Sequence, residues 1–151
     1  MHKDVLPSAF SLWIMIILGV DYGDVRTGIA ICDKTEFLAS PVCTVKESYM
    51  PKLIDKITAI INERNPELIV VGLPKNMDGS LGFRAQACTE FAQALGEACG
   101  VKTVLWDERL SSVIAHRQLQ SNGKKEKKHK DIVDAVAAVE ILQSYIDSRK
   151  K

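Results

Sequence analysis

Apolar residues along the chain form two alternating kinds of run, and together they predict an α/β domain. The runs at 14–20 and 68–72 are short and almost uninterrupted, which is typical of strands that are covered on both faces. The segments 49–62 and 80–99 instead repeat apolar residues at three- and four-residue spacing, which predicts helices. We expect further strands at 29–32, 36–45 and 101–106, and further helices at 111–121 and 131–148.

The order of these elements predicts a mixed sheet. The first strands follow one another closely, so they should pair as an antiparallel hairpin, with Gly23 and Gly28 permitting the tight turn between them. The later strands alternate with helices, so they should be parallel. Ser80 is the expected N-cap of its helix, and Pro66 and Gly100 should follow the ends of helices.

Length and composition indicate one domain without a strong overall charge. The chain has 151 residues, 46% of them hydrophobic, and a net charge of +1, so contact with nucleic acid would depend on local basic clusters. Its four cysteines lack metal-site spacing and are expected to be reduced thiols in a cytoplasmic protein. The apolar run 10–20 is too short to span a membrane. We expect a single domain at 15–151, with 1–14 as an extension outside the fold.

Acidic residues stand where strands end, which indicates a metal site. Asp21 ends the first strand and Glu108 follows a later one, while Asp134 shares a helical stripe with apolar residues that must face the sheet. Three inward carboxylates repel one another unless a hard cation binds them, so the pattern predicts Mg²⁺ or Mn²⁺. Strand alternation sends Asp107 and Glu108 to opposite faces. We therefore expect Glu108 in the site and Asp107 as a surface or capping group.

Two further segments have both a functional and an ordinary interpretation. The loop at 73–80 lies between a strand and a helix, where backbone amides and the helix dipole can bind an anion, but a simple turn at Asp78 and Gly79 explains it equally well. The segment 122–130 contains five lysines and is expected to be a loop. Its position before the helix that carries Asp134 favours contact with a phosphate backbone.

Four motifs in order resemble the YqgF/RuvX family over about residues 15–147: Asp21-Tyr22-Gly23 with Arg26 and Gly28, the loop at 71–80, Asp107-Glu108-Arg109-Leu110-Ser111-Ser112, and the helix at 133–145. Members have a ribonuclease H-like fold and are described as Holliday-junction resolvases or as nucleases that mature the 5′ end of pre-16S ribosomal RNA. The resemblance implies that Asp21, Glu108 and Asp134 are the catalytic, metal-binding carboxylates. The chain departs from the family pattern at Phe83, where a non-aromatic residue is expected, and in its leader before Met15.

Two other classes of function compete with a nuclease. The spacing of Asp21, Gly23 and Gly28 also resembles the first phosphate loop of sugar kinases and actin-like ATPases, but those proteins need two such domains around the nucleotide. A non-catalytic RNA-binding module for ribosome assembly would keep the basic segment and have no use for the acids. Binding of divalent metal would separate this module from a nuclease.

The sequence therefore predicts a ribonuclease H-like α/β nuclease that is cytoplasmic, does not bind membranes, and is a monomer or a weak homodimer. Its expected substrate is structured or precursor ribosomal RNA, with branched DNA as the alternative. The residues expected to position phosphates are basic or amide side chains near the acids: Arg26, Lys75, Asn76, Arg84, Arg109, Lys124, Lys125, Lys127, Lys128 and Lys130.

Overall fold

The computed structural model describes residues 15–32, 38–111, 113 and 127–149, and the side chains of 127–134 lie outside this description. Within these residues the strands are β1 (Ile17–Asp21), β2 (Arg26–Cys32), β3 (Ala39–Lys46), β4 (Leu68–Leu73) and β5 (Lys102–Asp107). The helices are α1 (Met50–Arg64), α2 (Phe83–Cys99) and α3 (Lys127–Arg149), and a 3₁₀ turn at Glu108–Leu110 follows β5. None of the described helices is long and apolar enough to cross a membrane.

The strands form one mixed sheet in the order β3-β2-β1-β4-β5, which confirms the predicted fold class. The β1–β2 and β2–β3 pairs are antiparallel, whereas β1–β4 and β4–β5 are parallel. The prediction that Gly28 belongs to the hairpin turn is wrong, because Gly28 lies inside β2 and pairs with Asp21. Pro41 lies on the edge strand β3, where a missing N–H group is tolerated.

The two faces of the sheet are covered by different helices. Leu18 and Val20 of β1 pack with the apolar residues of α1 and α2, which we call the α1/α2 face. Ile17 points to the opposite side and packs against α3, as do Leu68 and Val70 of β4, and we call this side the α3 face. Alternate residues of each central strand therefore serve different layers.

Helix α3 lies unusually close to β1. A Cβ atom added to Gly19 would lie 2.7 Å from the Cβ of Leu142 and 3.1 Å from the carbonyl oxygen of Ala138. Ala135, Ala137 and Ala138 are all buried. The small residues of this helix thus allow the close approach that the sequence predicts, and they bring the helix that carries Asp134 against the middle of the sheet.

Several element boundaries differ from the sequence predictions. Ser80 does not cap α2, which begins at Phe83 after Gly82; its hydroxyl instead donates to the Asp78 carboxylate at 2.6 Å. The segment 122–130 is not wholly a loop, because α3 begins at Lys127. Asn65 and Gly100 end their helices in the left-handed conformation, with φ of 54° and 72°. The helix predicted at 111–121 and the extension at 1–14 fall almost entirely outside the described residues.

Candidate active site

Asp21 is the last residue of β1 and is buried on the α3 face of the sheet. It pairs with Gly28 of β2, so the strand is still regular at this position. Since Gly19 faces α3, strand alternation places the Asp21 side chain on the same face. Only 6% of Asp21 is exposed to solvent. A carboxylate at this depth must be compensated by bound cations or hydrogen-bond donors.

Glu108 follows β5 directly and lies over Gly72 of β4. A Cβ atom on Gly72 would be 3.1 Å from Cγ of Glu108 and 3.3 Å from its carboxyl carbon, and 2.6 Å from Cδ1 of Ile141 in α3. Glu108 is 2% exposed. The absence of a side chain at Gly72 therefore provides the space in which the Glu108 stem fits between the sheet and α3.

The register of the sheet brings Asp21 and Glu108 to the same place. Strands β1 and β4 are parallel neighbours in which Val20 pairs with Val71, so Asp21 and Gly72 follow next on adjacent strands. Adjacent strands are about 4.8 Å apart, and Glu108 lies directly over Gly72. Two carboxylates that are far apart in sequence thus share one face at the carboxyl ends of the parallel strands.

Asp134 lies on the helix that covers this face, one turn before Ala138. Ala138, Ile141 and Tyr145 are buried at 0%, 0% and 2% exposure, which confirms that the predicted apolar stripe packs against the sheet. The Asp134 side chain itself is outside the description. Among the side chains that are described, no three acidic, histidine or cysteine residues form a group that could hold a metal ion.

Asp107 is a capping group, as the sequence predicts. Its carboxylate accepts hydrogen bonds from the backbone N–H of Arg109 at 2.9 Å and from the Arg109 guanidinium at 2.7 to 3.1 Å. These bonds hold the pKa of Asp107 below its usual range and outweigh the opposing effect of partial burial. Asp107 and Glu108 are adjacent in the chain but have different environments: Asp107 is paired with Arg109, and Glu108 is buried between the sheet and α3.

The loop after β4 is held together by its own backbone. The amides of Lys75 and Asn76 donate to the carbonyls of Leu73 and Ser80, and the amide of Gly79 donates to Asn76. The Ser80 amide donates to the Asp78 carboxylate. Since these four amides are already used within the loop, the interpretation of an ordinary turn is favoured over an anion site built from backbone amides.

Arg84 binds the turn between β1 and β2. Its guanidinium donates to the Asp24 carboxylate at 2.9 Å and to the Tyr22 carbonyl at 3.0 Å, and it lies over the Tyr22 ring. The same ring stacks on Phe91 of α2 with a centroid separation of 4.5 Å. Burial, reinforced by the Asp24 carboxylate, raises the pKa of the Tyr22 hydroxyl. Arg84 and Tyr22 thus fix the hairpin beside Asp21.

The other residues predicted to position phosphates are spread over three locations. Arg26 begins β2, and Lys75 is half-buried near enough to Asp107 to help lower its pKa. The side-chain amide of Asn76 donates to the Ser80 hydroxyl, so Asn76 helps to hold the loop together. Lys127, Lys128 and Lys130 lie on the first turns of α3, whereas Lys124 and Lys125 lie outside the described residues.

Gly72 and Thr27 have structural roles that the sequence alone does not reveal. Gly72 was interpreted only as the end of a strand, although a glycine within a strand often marks a close approach by another group. Thr27 is fully buried in β2, and its hydroxyl accepts a hydrogen bond from the Gly23 amide at 3.3 Å, which ties the start of β2 to the turn after β1. No sequence signal distinguishes this buried threonine from an ordinary strand residue.

The chain is similar to known proteins of one family. The family model described as "RuvX: Holliday junction resolvase" matches residues 15–148. A protein of Bacillus cytotoxicus named "Putative pre-16S rRNA nuclease" is 42% identical over 137 residues, which cover 89% of this chain and all of that relative. A relative of the same name from Thermoanaerobacter pseudethanolicus is 43% identical over 90% of this chain and 99% of its own length.

Solved structures with low sequence identity share the fold. RuvC of Thermus thermophilus, solved in complex with a Holliday junction substrate, superposes with a TM-score of 0.58 at 15% identity, over 89% of this chain and 95% of RuvC. The yeast mitochondrial Holliday junction resolvase Ydc2 gives a TM-score of 0.55 at 12% identity, over 88% of this chain and 78% of Ydc2. The resemblance first seen in the sequence motifs is confirmed, and the chain belongs to the RuvX family.

Proposed function

We propose that this protein is a metal-dependent endonuclease that hydrolyses phosphodiester bonds in precursor ribosomal RNA, at the 5′ end of pre-16S rRNA. The observation that carries this proposal is that Asp21 and Glu108 are both buried on the α3 face, Asp21 at the end of β1 and Glu108 over Gly72 of the adjacent strand β4. The names of the relatives at 42% and 43% identity support RNA as the substrate.

The residues present fit a hard divalent cation. Asp21 and Glu108 supply carboxylate oxygens, which Mg²⁺ and Mn²⁺ prefer, and both are too buried to serve as ordinary surface charges. Asp134, on the helix above them, would complete the set of ligands. When bound, such ions would activate the attacking water and stabilise the leaving oxygen of the phosphodiester.

The rest of the chain holds these acids in place and contacts the substrate. Packing of α3 on Gly19 and Gly72 closes one side of the site, so the substrate must approach from the carboxyl ends of β1, β4 and β5. Lys75 follows β4 at this end, and Arg26 begins β2 at the same end of the sheet. Their charges would hold the phosphates that flank the scissile bond, together with the lysines at the start of α3.

A Holliday-junction resolvase is the alternative function, because the matching family model carries that description. A resolvase cuts two strands symmetrically and therefore acts as a two-fold dimer. A protein that remains monomeric on a four-way DNA junction would contradict this alternative. Binding of RNA without cleavage, in the presence of Mg²⁺ or Mn²⁺, would instead indicate the non-catalytic assembly module.

The decisive experiment compares a precursor 16S rRNA fragment with a four-way DNA junction at matched salt, with Mg²⁺, with Mn²⁺ and with a chelator. We expect divalent-dependent cleavage of the RNA by the natural protein and none by Asp21→Asn. Asp55→Asn is the matched control, because Asp55 is exposed on α1, which covers the opposite face of the sheet. Cleavage that survives in Asp21→Asn would remove the proposed mechanism.

A further inference from the structure

Arg109 forms an unusually complete pair with Asp107. Its backbone N–H donates to Oδ1 at 2.9 Å, Nε donates to Oδ1 at 3.1 Å and to Oδ2 at 3.0 Å, and Nη2 donates to Oδ2 at 2.7 Å. The two side chains are 31% and 16% exposed. Planar, two-pronged pairing of this kind fixes the direction of the guanidinium as well as its position.

The far edge of the same guanidinium reaches the loop after β4. Nη1 donates to the carbonyl oxygen of Met77 at 3.4 Å. A Cβ atom on Gly79 would lie 3.5 Å from Nη1, and Gly79 has a φ of 89°, which favours glycine. Hydrogen bonds from the hydroxyl and amide of Ser80 hold the pKa of Asp78 below its usual range, and the charge of Arg109 adds a smaller contribution in the same direction. One side chain therefore bridges the end of β5 and the turn at 76–79.

Glu108 lies between Asp107 and Arg109 in the chain, so the hydrogen-bonded pair spans its backbone. The amide and hydroxyl of Ser111 donate to the Glu108 carbonyl at 3.1 and 2.8 Å, so the 3₁₀ turn is fixed at its other end as well. A change in the Asp107–Arg109 pair would therefore move the Glu108 backbone relative to the loop that carries Lys75.

The pairing argues against Arg109 as a direct phosphate ligand. Its charge is already balanced by Asp107, and Asp78 adds a second acidic neighbour. An arginine that is neutralised in this way contributes little to counterion release when nucleic acid binds. Arg109 was expected to position phosphates because the sequence shows its charge but not its pairing with Asp107.

We propose that Arg109 is a positioning residue which, together with Asp107, sets the distance between Glu108 and the turn at 76–79, and that it does not bind phosphate. This inference rests on the proposed nuclease function. The alternative role for the same side chain, a phosphate contact, makes opposite predictions for the salt dependence of binding.

The test measures kcat, KM and the slope of log binding constant against log salt concentration for Arg109→Lys, with precursor RNA as the substrate. Lysine keeps the charge but cannot form the two-pronged bond or reach Met77 in the same geometry. We expect kcat to fall roughly tenfold to a hundredfold, as for a small misplacement in an active site. KM and the salt slope should be unchanged.

Lys75→Ala is the comparison variant, since Lys75 is a proposed phosphate contact on the loop after β4, which Arg109 reaches through Met77. Its salt slope should decrease in magnitude by about 0.7 to 0.9, the value for one lost phosphate contact. The same decrease in an Arg109→Gln variant, together with an unchanged kcat, would overturn the positioning role.

Asp107→Asn separates the two roles from the other side of the pair. If Arg109 positions Glu108, this variant should lose kcat much as Arg109→Lys does, and the double variant should be no worse than either single change. If Arg109 binds phosphate, removing the competing carboxylate should free the guanidinium and tighten RNA binding. A natural protein that cleaves no substrate would overturn the nuclease proposal, while the salt slopes for RNA binding would still decide whether Arg109 binds phosphate.

Discussion

The two faces of the central strands have the same backbone and opposite contents. On the α1/α2 face, β1 and β4 present Leu18, Val20, Ile69 and Val71, all of them fully buried. On the α3 face, the carboxyl-terminal halves of the same two strands present Gly19, Asp21 and Gly72, and the Glu108 side chain lies over Gly72.

The difference shows how a small domain combines stability with a buried charged site. Each large apolar side chain buried on the α1/α2 face contributes about 1.5 to 3 kcal/mol, whereas bringing carboxylates together in the interior costs free energy. The glycines on the α3 face make no side-chain apolar contacts, but they leave space for α3 and for Glu108. One face therefore stabilises the strands, and the other uses that stability to hold acids in an unfavourable place.

The largest effect should follow from a change on the α3 face that leaves packing intact. Glu108→Gln keeps the shape of the side chain, so we expect cleavage to fall by more than about a hundredfold, beyond what a change in a supporting group causes. Thermal stability should stay equal or rise, because a neutral amide removes repulsion from Asp21. Cleavage rates and melting temperatures of the same preparations measure both effects.

Glu97→Gln provides the control for this change, since Glu97 is exposed on α2. It should leave both quantities unchanged. Full cleavage by Glu108→Gln would show that burial of a carboxylate at the end of β5 has no catalytic purpose, and the contrast between the faces would lose its functional meaning.

The opposite pattern is expected on the α1/α2 face. Ile69→Ala removes a fully buried side chain and should lower the free energy of unfolding by about 2 to 5 kcal/mol. Cleavage per folded molecule should be unchanged, because Ile69 points away from the acids. Urea unfolding and active-site titration measure the two effects separately. Leu38→Ala, at a residue that is 61% exposed, should change stability by less than about 0.5 kcal/mol.

Gly72→Ala tests whether the space on the α3 face is needed for function. The added methyl group would lie 2.6 Å from Cδ1 of Ile141 and 3.1 Å from Cγ of Glu108, so both must move. We expect a loss of about 1 to 3 kcal/mol in stability, and a loss of cleavage larger than this destabilisation explains. Kinetics well below the melting temperature would separate the two losses.

Gly96→Ala is the matched control for the added methyl group. It lies in α2, where the new Cβ would be 3.2 Å from the Thr103 hydroxyl, and alanine is favoured over glycine inside a helix. Its stability should change little and its cleavage not at all. If Gly72→Ala and Gly96→Ala have the same cleavage and stability, the space that Gly72 leaves for Glu108 is not needed for function.

The sequence predicted more of the α1/α2 face than of the α3 face. An uninterrupted apolar run located β4, which is buried on both faces, and helical spacing located α1, which buries one face. Alternation also predicted that Asp107 and Glu108 lie in different environments, as they do in the structure. The role of Gly72 and the contact of Arg109 with Met77 could not be predicted, because both join segments that are distant in sequence. The start of α3 at Lys127 could not be predicted either, because a run of charged residues is typical of a loop.

The smallest expected effect is on stability and concerns the rim of the site, by which we mean the partly exposed pair of Asp107 and Arg109. Because the folded protein lowers the pKa of Asp107, the stability from its pair with Arg109 is fully present above the ordinary aspartate pKa of about 3.9. It should be lost as the pH falls through the lower folded value. A partly exposed pair of this kind contributes about 1 kcal/mol or less.

Urea unfolding of the natural protein and of Asp107→Asn, at pH values falling from neutral for as long as both proteins remain folded, measures this contribution. The stability difference between the two should be constant at the upper end and shrink toward the lower end. Glu47 and Asp78 also have lowered pKa values, but they are present in both proteins and cancel in the difference. A difference that does not vary with pH would mean that the charge of Asp107 is irrelevant and that only its hydrogen-bond geometry holds the rim.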